Sequence, residues 1–86
     1  MKVKDIQKVS ERRKEKLSFA VQLGKHLRKM RLEKGISQEN LSMDSGYYRT
    51  YVGKIEQGKY SPSTHTIWRL AHTLDMNLEQ FFKDFK

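Results

Sequence analysis

Ser37-Gln38-Glu39-Asn40-Leu41-Ser42-Met43-Asp44-Ser45-Gly46-Tyr47-Tyr48-Arg49-Thr50-Tyr51-Val52-Gly53-Lys54-Ile55-Glu56-Gln57-Gly58 is the stretch whose reading decides the fold. Ser37 is a good N-cap for a short helix that carries Leu41, runs to about Ser45 and stops at Gly46. A second helix of roughly nine residues follows within about two residues, with Val52 and Ile55 as its inner stripe and Gly58 as its end. Helices this short bury too little area to persist alone, so each has to lean on the other. A glycine between them permits the left-handed backbone of a sharp turn and hence a steep crossing.

Turning Val52 and Ile55 inward places Arg49, Thr50, Gly53, Lys54 and Gln57 largely on the opposite face. That face holds two cations and no carboxylate, and its residue types suit a duplex. Arg49 has the donors to grip guanine N7 and O6, and Thr50 offers a methyl group to thymine or a hydroxyl to a base edge. Lys54 reaches a guanine or a phosphate from the same side. Gly53, with no side chain, lets the helix backbone approach a groove. Gln38, in the first turn of the preceding helix, is placed to meet a phosphate beside free backbone N–H groups. Arg49, Thr50 and Lys54 are therefore the expected base contacts. Gln38, Tyr48, Tyr51, Gln57 and Lys59 are the expected contacts to the DNA backbone.

Helical periodicity continues on both sides. Leu23, Leu27 and Met30 predict a helix from about Phe19 to Lys34. Ser63 caps a clear amphipathic helix carrying Ile67, Leu70, Ala71 and Leu74, and Asn77 caps a last one carrying Leu78, Phe81 and Phe82. The expected fold is all-α: a compact five-helix domain over residues 19–86, containing a helix-turn-helix. Residues 1–18, a strongly charged stretch with Ile6, Val9 and Leu17 as sparse apolar marks, read as a separate basic extension, either a frayed continuation of the first helix or an arm.

Eighty-six residues suffice for one domain, and the absence of cysteine leaves packing as the source of stability. No apolar run is long enough to span a membrane and no signal-peptide pattern opens the chain, so a cytoplasmic protein without membrane partners is expected. The net charge of +8 draws the chain toward polyanions. Residues 1–16 carry seven basic and three acidic side chains, so half of that excess lies outside the extension. His26, His65 and His72 lack paired ligand spacing, and no nucleophile elbow or phosphate-binding glycine loop occurs, so neither a metal, a cofactor nor enzymatic activity is expected.

Leu23-Gly24, Arg31, Gly35-Ile36-Ser37-Gln38, Leu41, Gly46, Tyr51-Val52, Ile55-Glu56, Gly58, Pro62 and Leu70-Ala71 resemble the phage-repressor (Cro-like, XRE) helix-turn-helix family over about residues 20–82. The resemblance implies a five-helix domain whose third helix reads double-stranded DNA, usually as a homodimer on a pseudo-palindromic operator. It implies an anchoring role for Gln38, base contacts for Arg49, Thr50 and Lys54, and a partly buried ion pair between Arg31 and Glu56. Tyr48 departs from the family by standing where a capping Ser or Thr is common, and Ser42 replaces a small alanine, a change expected to be nearly neutral. Trp68, Phe82 and Phe85 are the candidates for a dimer surface. Two other functions fit the same sequence: an antitoxin that binds a partner protein and autoregulates through this domain, and nonspecific polyanion binding by the basic extension.

Overall fold

A computed structural model describes residues 3–85. It contains α1 (Val3–Glu33), α2 (Gln38–Asp44), α3 (Tyr51–Glu56), α4 (Thr64–Thr73) and α5 (Leu78–Phe82), with no strand among the described residues. The five-helix, all-α expectation holds. The first helix is longer than its apolar periodicity marks, running unbroken for 31 residues from Val3 instead of from about Phe19. At 1.5 Å per residue it is about 46 Å long. Residues 3–18 contain no glycine or proline and are rich in Lys, Arg, Glu and Gln. Such residues propagate a helix that packing has already nucleated further along.

Leu23, Leu27 and Met30 of α1 meet Leu41 of α2, Val52 and Ile55 of α3, Ile67, Leu70 and Ala71 of α4, and Phe81 of α5 in one buried core. Burying a side chain of this kind stabilises the fold by about 1.5–3 kcal/mol. α1 and α3 cross at Gly24, where an added Cβ would stand 2.4 Å from the Ile55 carbonyl oxygen and 2.9 Å from that of Glu56. Glycine is thus what lets the two helix backbones touch.

Most helix starts are capped locally. Ser37 Oγ accepts from the Asn40 N–H at 3.0 Å, and Ser63 Oγ accepts from that of Thr66 at 3.1 Å. Asn77 and Gln80 satisfy each other's backbone N–H groups in a capping box. α3 differs. Thr50 stands at its N-cap position and makes no side-chain capping bond. The fully buried Ser42 of α2 does that work: its Oγ accepts from the Val52 N–H at 3.0 Å and donates to the Gln38 carbonyl at 2.8 Å. The near-neutral expectation for Ser42 is therefore wrong, because the hydroxyl joins two elements. Ser42→Ala should strand a buried donor and cost about 1–3 kcal/mol. The urea midpoint would fall at constant slope, and an unmoved midpoint would show the bond to be dispensable.

Candidate nucleic-acid interface

The link between α2 and α3 is built around Gly46, whose φ of +85° is a conformation that side-chain-bearing residues rarely adopt. Its N–H donates to the Met43 carbonyl at 3.0 Å, and that of Tyr47 donates to Ser42 at 2.9 Å. α4 holds this turn from below. Arg69 donates through Nε and Nη2 to the Ser45 carbonyl at 3.0 and 2.8 Å, and its guanidinium lies 5.8 Å from the centre of the Tyr47 ring. Sequence reasoning missed Arg69, since a cation beside an apolar stripe looks like any solvated residue. Tyr47 packs on the core and donates its hydroxyl to Thr66 Oγ1 at 3.1 Å.

α3 is six residues long, not about nine, and begins at Tyr51. Arg49 and Thr50 consequently sit in the turn ahead of it. Tyr48 provides no cap, so nothing local extends the helix backward, and Ser42 instead captures an N–H one residue inside α3. Arg49 and Thr50 are nevertheless exposed, as are Gln57 and Lys59, while Lys54 is half-buried. These five line one shallow groove with Gln38 and Gly53. Glu39 shares that groove and is the acid that sequence reasoning left out; it sits in the first turn of α2, where the helix dipole favours a carboxylate.

Tyr48 and Tyr51 have different surroundings. Tyr51 is half-buried, stacked on Tyr47 with ring centres 4.6 Å apart. Tyr48 is half exposed, its ring 5.2 Å beneath Lys54 Nζ and its hydroxyl 3.1 Å from that of Tyr60. The shared hydrogen bond pushes the Tyr48 phenol up to about 12. The same bond, reinforced by Lys54 and Lys59, lowers that of Tyr60, so Tyr60 is the first of the two to ionise.

A polar network ties the groove to α1. Arg31 Nε and Nη2 donate to the two carboxylate oxygens of Glu56 at 2.7 and 3.0 Å, and Nη1 donates to the Ile36 carbonyl at 2.9 Å. The two side chains are only 7% and 3% exposed. Gln38 Nε2 donates to Glu56 at 3.1 Å, committing one amide hydrogen and leaving the other for an outside acceptor. Gly53 makes room for this amide, since a Cβ there would lie 3.3 Å from Gln38 Oε1. The glycine therefore serves an internal contact in addition to any approach to a groove.

The proposed dimer residues are not equivalent. Phe82 and Phe85 are half-buried around His26, whose Nε2 is hydrogen-bonded to the Phe81 carbonyl. Trp68 is 43% exposed on the outer side of α4, tilted against His72 with ring centres 4.3 Å apart. Among the described residues, no His, Cys, Asp or Glu cluster suits a metal ion, and no helix is long and apolar enough to cross a membrane.

Comparison with known proteins adds independent observations. The helix-turn-helix family model matches residues 27–81. The ImmF control region 10 kDa protein of Bacillus phage phi105 is 38% identical over 56 residues, which cover 65% of this chain and 62% of the phage protein. An HTH-type transcriptional regulator of Sinorhizobium fredii, y4dJ, is 31% identical over 55 residues, covering 64% of this chain and 71% of that protein. The crystal structure of the restriction-modification controller protein C.AhdI from Aeromonas hydrophila superposes with a TM-score of 0.71 at 39% identity. That match covers 77% of this chain and 96% of the controller chain.

Proposed function

The chain belongs to the helix-turn-helix family and is a DNA-binding transcriptional regulator of the phage-repressor (Cro-like, XRE) type, and on that premise we propose that it recognises a specific operator through the N-terminal end of α3. In this reading Arg49, Thr50 and Lys54 meet base edges in the major groove, while Gln38, Tyr48, Gln57 and Lys59 hold the DNA backbone. Tyr51 acts by packing beneath Tyr48. The observation that carries the proposal is the groove that gathers the donors of Arg49, Lys54 and Gln38 beside an exposed Thr50. Arg31 and Glu56 position that groove from inside. Residues 19–86 constitute the DNA-binding domain, which acts as a homodimer with Trp68 at or near the contact.

Selection of duplexes from a random pool tests the proposal. A two-fold site with half-sites about 34 Å apart, one helical turn, is expected of a dimer. Arg49→Ala should cost about 1–3 kcal/mol in binding and relax preference at one base position, whereas Gln38→Ala should weaken all sequences alike. Uniform loss across every sequence on removing Arg49 would reduce that residue to a backbone contact.

A further inference from the structure

α1 does not end where the domain ends. It crosses α3 at Gly24, and Val21 packs against Gly58 just beyond α3, where an added Cβ would stand 2.9 Å from Val21 Cγ2. Arg13 lies eleven residues before that crossing, about 16 Å along the axis at 1.5 Å per residue. Arg13 and Lys16 share an open recess with Lys59 and Tyr60, the residues that follow the recognition helix. All four are exposed. The matched family residues begin only at 27, so this half of α1 lies outside the family match.

The charges of this half-helix are segregated. At about 100° per residue, Arg13 and Lys16 continue the side on which Ala20 and Leu27 face the core. Glu11 and Glu15 both lie about 160° round the axis from Arg13. The recess that prolongs the groove past Lys59 is thus lined by cations and no carboxylate; Glu15 borders Arg13 and Lys16 only from the adjoining recess, beside Arg12 and Phe19.

We propose that the N-terminal half of α1 is a second DNA-contacting element, in which Arg13 and Lys16 bind backbone phosphates flanking the site read by α3. The inference rests on the regulator reading above and extends its footprint. Contacts of this kind carry no sequence information; they add affinity through counterion release. Their rigid helical mounting costs less ordering entropy than a flexible arm would.

The test uses the full chain, a duplex recovered by selection from a random pool, and the same duplex trimmed to its selected core. Arg13→Gln with Lys16→Gln should bind the long duplex about tenfold more weakly and lower the salt-dependence slope by nearly two, about 0.9 per lost phosphate contact. Its base preferences should stay those of the wild type, and trimming the flanks should erase the difference. Lys14→Gln with Lys25→Gln removes the same charge from the outward side of α1 and should change little. Equal binding of the long duplex by wild type and the first variant would overturn the proposal, as would an equal loss in the control. A variant whose oligomeric state changes while its salt slope does not would assign the surface to a second copy of the chain instead. Failure of the wild type to select any duplex would remove the operator-recognition reading and this extension together, so the two failures are distinguishable.

Discussion

Replacing Arg31 with methionine should destabilise the domain by about 3–5 kcal/mol, the penalty for leaving a buried carboxylate without its partner. The Glu56 side chain is 3% exposed and receives two donors from Arg31. After the substitution, the single bond from Gln38 at 3.1 Å and the distant Arg28 guanidinium at 4.0 Å are what remain for it. Domains of this size have about 5–15 kcal/mol in total, so a large fraction would be lost. Urea denaturation reads the effect directly. Pairing the change with Glu56→Leu should recover much of the loss, because the orphaned charge goes with its partner. A single variant as stable as the wild type would mean that the carboxylate finds water, contrary to its burial.

Gly24→Ala should also destabilise, and here the sign is the informative part. In an exposed helix interior the same change stabilises by about 1 kcal/mol. At Gly24 the new methyl would press on two backbone carbonyl oxygens, the nearer at 2.4 Å. Neither can rotate away as a side chain would. Overpacking of this kind costs about 1–3 kcal/mol, and relief requires α3 to shift away from α1. DNA affinity should therefore fall further than the loss of folded protein explains, because Arg49, Thr50 and Lys54 move with α3. Binding measured at a temperature where the variant is fully folded separates the two effects. A stabilised variant would show that the helices do not meet at this point.

The α2–α3 segment illustrates how far local reading reaches. Leu41, Val52 and Ile55 are legible as inward positions because helical spacing alone assigns them, and all three are fully buried. The caps Ser37, Ser63 and Asn77 are legible for the same reason: donor and acceptor lie three residues apart. The start of α3 is not legible, since its cap comes from Ser42, ten residues earlier. The role of Gly24 is invisible until α3 is laid across it, thirty-one residues on. Arg69 carries no local mark at all, and Gly53 bears a mark whose meaning changes once Gln38 is seen beside it.

Apolar periodicity, caps and turn glycines sufficed to determine five helices, their order and a cationic outward side after Gly46, because each is a relation among neighbours within one or two turns. Only the tertiary structure decided where α3 begins, which hydroxyl caps it, how closely it approaches α1 and how far α1 projects beyond the core. Those properties are distances between segments far apart along the chain, and residue spacing holds no record of them until packing brings the segments together.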